Sequence, residues 1–136
     1  MARKRRASVW AGFAAAVLAA GVLAAAPAGA APRDWSVSFE TATASGTGHI
    51  ERPPNTIFGT YVITGDLRNS GDGCYSLWTG VARDLIPPRY SRTATVCGEG
   101  DAPVEARFPS YAPTSTAYGK VCRGETHDHC GSPRPL

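Results

Sequence analysis

The sequence predicts an all-β fold, a small β-sandwich of about six or seven short antiparallel strands, preceded by a signal peptide. Three observations carry that expectation. Apolar and polar residues alternate over short runs, the period of a half-buried strand. No segment after residue 30 sustains an apolar period of 3.6 residues. Glycine and proline, 15 and 11 in the whole chain, recur too often for helices of ordinary length. A partly open barrel is the architectural alternative.

The leader comes first. Arg3, Lys4, Arg5 and Arg6 form a positive n-region, and Val9 to Ala26 is an apolar h-region of mostly Ala, Val and Leu. Ala28-Gly29-Ala30 supplies the small-residue cleavage pattern, which places the cut after Ala30. A retained membrane anchor is the competing reading. The apolar stretch is near the lower limit for a span, about 17 residues. Its Pro27-Ala28-Gly29-Ala30 exit is small and uncharged, unlike a stop-transfer flank. General secretion is therefore expected, with a secreted product in residues 31–136 and no membrane contact once the leader is gone.

Trp35, Val37 and Phe39 then alternate with Ser36 and Ser38, a first strand. Thr41 to Gly48 is rich in Thr, Ala, Ser and Gly and reads either as an extension of that strand or as a loose loop. Pro53-Pro54 is a break, because consecutive prolines cannot donate to a sheet ladder. Ile57, Tyr61, Ile63 and Leu67 share one face of the next run, and Phe58, Thr60, Val62 and Thr64 the other. Asn69-Ser70-Gly71-Asp72-Gly73 is a turn signal. Cys74 to Ala82 reads as the returning strand of a hairpin, with Tyr75, Leu77 and Val81 on one face and Cys74 and Trp78 on the other. Pro87-Pro88 breaks the chain again. Ser91 to Cys97, Glu105 to Phe108 and Ala117 to Cys122 are three further short candidates.

Charge narrows the partners. Four of the 14 Lys and Arg precede Ala30 and none of the 11 acidic residues does, so the mature domain carries 10 basic against 11 acidic groups, a net charge of −1. Lys120 is its only lysine. Nucleic-acid binding needs clustered cations, and none is left. A single domain of this size buries about 65% of its unfolded surface, so its core is modest and covalent staples are expected.

Cys74, Cys97, Cys122 and Cys130 are an even set in an exported chain. The favoured pairs are Cys74–Cys97, joining two neighbouring strands, and Cys122–Cys130, closing the loop Arg123 to His129. The two crossed pairings stay open. In the chain-entropy view these loops are worth roughly 3.4 and 2.6 kcal/mol. Zinc is the competing use, through Cys122, His127, His129 and Cys130. No C-x-x-C pair supports it, and an exported thiol tends to be oxidised. No metal or cofactor is expected.

Catalysis finds little footing. Gly-x-Ser-x-Gly, His-Glu-x-x-His and a Gly-rich phosphate loop are all absent. Glu105, Arg107 and His127 are the residue types of a small ribonuclease, but such trios arise by chance. Asp66, Asn69 and Asp72 resemble calcium ligands, yet Arg68 stands where a calcium loop needs an oxygen. Most aromatics on strands should be core. Trp78 is different, since it shares a face with polar Ser76, and it is a candidate contact for a sugar or a protein. Arg89, Tyr90 and Arg92, after the double proline, are the second candidate contact.

At Asp72-Gly73-Cys74-Tyr75, Val96-Cys97-Gly98-Glu99-Gly100 and Val121-Cys122-Arg123 the chain resembles a group of small exported proteins of high-GC actinobacteria. These pair an Arg- and Ala-rich signal peptide with a four-cysteine β-domain. The resemblance spans most of residues 57–131. It implies a secreted β-domain and carries over no catalytic residues. The functional expectation is a non-catalytic extracellular domain that binds a protein or glycan, at the cell envelope or beyond it. The alternative is a secreted hydrolase or protease inhibitor acting through a rigid surface loop such as Ile86 to Arg92. The subtilisin-inhibitor-type proteins of the same bacteria differ from this chain in cysteine spacing.

Overall fold

The computed structural model describes residues 31–111 and 113–136. The signal-peptide reading concerns residues 1–30, outside the described residues. The elements are β1 (Arg33–Phe39), β2 (Ala42–Glu51), β3 (Phe58–Asn69), β4 (Cys74–Arg83), β5 (Ser91–Cys97), β6 (Gly100–Tyr111), β7 (Ser115–Arg123) and β8 (Arg134–Pro135). They form two four-stranded antiparallel sheets. The first has the order β1-β2-β3-β6, the second β5-β4-β7-β8. The molecule is a small β-sandwich, and among the described residues no helix is long and apolar enough to cross a membrane.

Period-two burial builds the core. Trp35 and Val37 of β1, Ala42 and Ala44 of β2, Ile63 and Leu67 of β3 and Val104 of β6 face inward from the first sheet. Tyr75 and Leu77 of β4, Ala94 and Val96 of β5, and Ala117 and Val121 of β7 meet them from the second. Each large side chain taken fully from water contributes about 1.5–3 kcal/mol. Thr41 to Gly48, open in the sequence between strand and loop, belongs mostly to β2. It turns back at Glu40-Thr41 and pairs with β1 from Phe39↔Ala42 to Arg33↔Gly48. The Glu105–Phe108 candidate is the middle of a longer β6, whose Pro103 and Pro109 are accommodated because this strand is an edge of its sheet.

The expected hairpin over the Asn69–Gly73 turn is corrected. β3 and β4 lie in different sheets. Both edges of β3 are already used, by β2 along Ala42↔Asn69 to Glu51↔Thr60 and by β6 along Phe58↔Tyr111 to Asn69↔Gly100. The turn instead carries the chain across the sandwich. Asn69 directs the crossing: its buried amide donates to the carbonyls of Gly71 (2.7 Å) and Gly98 (2.9 Å), and its Oδ1 accepts from Thr41 Oγ1 at 2.7 Å. Gly73, at φ +94°, takes a backbone angle that residues with a Cβ rarely adopt. Turn chemistry thus predicted a reversal, and tertiary pairing decided where the returning strand docks.

Both favoured disulfides are present, Cys74–Cys97 and Cys122–Cys130. The first links β4 to β5 at directly paired positions. The second fastens the segment after β7 back onto it.

Candidate functional site

Along β4, Tyr75, Leu77, Thr79 and Val81 alternate with Ser76, Trp78 and Gly80, so Trp78 belongs to the outer face of the second sheet. The β4–β7 ladder puts Lys120 opposite Trp78 and Tyr118 opposite Gly80. The β4–β5 ladder, after an irregularity at Leu77/Trp78, puts Arg92 on the other side of Trp78. Three neighbouring strands therefore bring Trp78, Arg92, Lys120 and Tyr118 to one surface.

Tyr90 joins them by a close backbone approach. A Cβ on Gly80 would lie 2.5 Å from the Arg89 carbonyl oxygen, so only glycine lets this connection lie against β4. The Tyr90 ring then sits under the Lys120 ammonium, 4.6 Å from Nζ to the ring centroid. Burial pushes the Tyr90 phenol above its ordinary pKa, and the neighbouring Tyr118 pushes it the same way. The Tyr90 phenol therefore keeps its proton at neutral pH and can donate a hydrogen bond.

The segment after β7 lies over part of this surface. Ser76 Oγ donates to the Gly124 carbonyl at 2.6 Å, and Trp78 Nε1 donates to Ser76 Oγ at 2.9 Å. His127 stacks on the Trp78 ring at 5.0 Å between centroids with planes 23° apart. Lys120 Nζ donates to the His127 carbonyl at 3.3 Å, and Arg92 pairs with Glu125 at 3.4 Å. The Cys122–Cys130 bond and the Arg123 N–H to His129 carbonyl bond (2.9 Å) close the loop at its base. Trp78 is consequently half-buried: it lies outside the core, with one neighbouring ring against it.

The other candidates separate. Arg89 leaves the face and lines a groove with Val81, Ile86, Pro87 and Phe108. Ile86 closes a tight turn with Arg83, so the Ile86–Arg92 connection is divided between two surfaces. Glu105 and Arg107 face outward from the first sheet while His127 lies on the outside of the second, so the ribonuclease-type trio does not assemble. Cys122 and Cys130 are bonded to each other, which removes the thiolates a zinc site would need. Among the described residues no group of three or more His, Cys, Asp or Glu is placed to hold a metal ion. The amide of Asn69, one of the calcium candidates, is committed to backbone carbonyls.

Sequence reading missed Lys120 and Tyr118, and it weighed His127 only as a possible zinc ligand or as a member of the ribonuclease-type trio. The one local signal was the alternation of β7, which separates Tyr118 and Lys120 from core Ala117 and Val121. Chemically, the face offers two phenols, an indole, an ammonium and a guanidinium, with no paired nucleophile and base. Comparison with protein-family models, curated proteins and solved structures finds no match to this chain.

Proposed function

We propose that the protein is an exported, non-catalytic binding domain that engages a polysaccharide of the cell envelope through the outer face of its second sheet. Export is supported by the leader pattern and by the two disulfides. The observation that carries the ligand class is the row formed by Trp78, Tyr90 and Tyr118 with Lys120 among them. Aromatic rings on a strand surface stack against the C–H faces of pyranose rings. Phenol, ammonium and guanidinium groups beside them supply hydrogen bonds to hydroxyls. The strap bearing His127 covers one face of the Trp78 ring and orders it before a ligand arrives, which lowers the entropy lost on binding.

The test is tryptophan fluorescence of the secreted protein titrated with purified cell-wall polysaccharide fractions. Only Trp35, in the core, and Trp78 lie in residues 31–136. A saturable change is expected. Trp78→Ala should weaken binding, followed by sedimentation, at least tenfold, or about 1.4 kcal/mol. Saturable binding to no fraction, or equal affinity in a Trp78→Ala/Tyr90→Ala variant, would sink the reading.

A further inference from the structure

Every exposed large hydrophobic side chain among the described residues stands at one end of the sandwich. Leu85 is 99% exposed, Ile86 65%, Ile57 59%, Phe58 54% and Tyr111 36%. They come from places far apart in sequence: Ile57 from the connection between β2 and β3, Phe58 from the start of β3, Leu85 and Ile86 from the connection between β4 and β5, and Tyr111 from the end of β6. The ladders bring these together, pairing Phe58 with Tyr111 and Arg83 with Ser115. The Phe58 and Tyr111 rings meet edge to face at 4.9 Å, and the Asp84 N–H donates to the Thr114 carbonyl at 3.3 Å.

These tips are held in place. Pro53, Pro54, Pro87, Pro88 and Pro113 restrict the connections at this end. Reciprocal backbone bonds between Arg83 and Ile86 close the turn that carries Leu85. The side chains therefore stay exposed on a preset frame.

The charge at this end is cationic. Arg52, Arg83 and Arg89 stand against one exposed acid, Asp84, because Glu51 is already paired with Arg107 and lies near His49. Arg83 lies over the Tyr111 ring, 4.8 Å from its centroid. Arg83 and Arg89 both line the groove of about 410 Å³ beside Ile86, Pro87 and Phe108.

We propose that this end docks on the surface of an anionic phospholipid bilayer. Leu85, Ile86, Ile57 and Phe58 enter the interfacial region, and Arg52, Arg83 and Arg89 meet the lipid phosphates. The aromatic pair Phe58–Tyr111 sits at the depth where aromatic rings partition between water and acyl chains. A bilayer fits these observations better than a protein. The anchor of a protein interface fills a pocket in its partner with packed neighbours around it. Leu85 instead stands free at the apex of a two-residue turn, and Ile57, Phe58 and Tyr111 are exposed at the same end on other segments, an arrangement suited to a soft apolar plane. The proposal uses no residue of the aromatic face and stands independently of it. It departs from the sequence-based expectation of no membrane contact, because no continuous apolar segment is involved.

The experiment is sedimentation of the disulfide-intact secreted protein with vesicles of phosphatidylglycerol and phosphatidylcholine, and with phosphatidylcholine alone, at low and high salt. Binding to the anionic vesicles is expected, weakened by salt and by Arg89→Gln. It should fall about tenfold or more in Leu85→Ser/Ile86→Ser, since interfacial affinity scales with buried apolar area. A Leu85→Trp variant should be quenched by brominated acyl chains. Absence of vesicle binding at every composition would overturn the proposal. So would equal binding by the double serine variant. Leu85-dependent self-association, or Leu85-dependent inhibition of a secreted protease without vesicle binding, would assign the same end to a protein partner and equally overturn it.

Discussion

The two ends of the sandwich are built on opposite principles. At one end the β1–β2 turn, the β3–β4 crossing, the β5–β6 turn and the start of the strap after β7 are bound to one another through polar groups. Asn69 holds three of them, the Gly98 N–H donates to the Gly73 carbonyl at 2.8 Å, and Gly124 N–H to the Cys74 carbonyl at 2.7 Å. Tyr75 donates to Glu40 at 2.6 Å, Arg123 reaches the same carboxylate, and Cys74–Cys97 adds a covalent tie. At the other end, polar ties are fewer. Tyr61 donates to the Ser115 carbonyl at 2.7 Å, where burial raises its phenol pKa against the opposing pull of Arg33 and Arg52. The Tyr111 N–H to Ser115 Oγ bond (2.9 Å), the Asp84 N–H to Thr114 carbonyl bond (3.3 Å), the prolines and one tight turn do the remaining shaping, and the apolar side chains point to solvent. The contrast separates stability from recognition: one end closes the fold, and the other is free to present side chains that folding does not need.

The largest effect should come from removing the covalent tie. Replacing Cys74 and Cys97 together by Ala releases a closed loop spanning a sequence separation of 23. A loss of about 3 kcal/mol is expected, measured as the shift of the urea midpoint at constant slope. A change below about 1 kcal/mol would mean that the polar ties alone close this end.

Asn69→Ala comes next. It leaves the partly buried carbonyls of Gly71 and Gly98 and the Thr41 hydroxyl without their partner, for an expected cost of about 2 kcal/mol. Amide exchange should rise first in residues 70–73 and 98–99. Uniform acceleration across both sheets would show instead that the crossing does not open locally. The smallest effect belongs to the apolar end. Leu85→Ser should move the midpoint by no more than about 0.5 kcal/mol, because the side chain touches almost nothing in the folded state. A loss above about 1 kcal/mol would show that Leu85 is structural and would erase the contrast.

Much of the scaffold was legible locally. Trp35-Ser36-Val37-Ser38-Phe39 read as a strand from its alternation, and the cysteine pairing that forms is the favoured one of the three the sequence left open. Trp78 read correctly as facing away from Tyr75 and Leu77, because face parity is a property of the chain itself. The candidate site was only partly legible. Trp78, Tyr90 and Arg92 do share a face, but Lys120 and His127 reach it from much later in the chain, through a ladder and a disulfide-closed strap. Arg89 departs because the close approach at Gly80 sets Tyr90 on one side of the connection and Arg89 beside the groove.

What the sequence determined by itself is whatever neighbours within a few residues can enforce: strand period, strand faces, turn positions, and a scale at which staples matter. The tertiary structure alone decided that the Asn69–Gly73 turn crosses between sheets. It alone gathered Ile57, Phe58, Leu85, Ile86 and Tyr111 at one end and set Lys120 over Tyr90. The physical reason is that backbone conformation is a short-range property, whereas strand pairing is chosen by which edges remain unsatisfied once the whole core is packed.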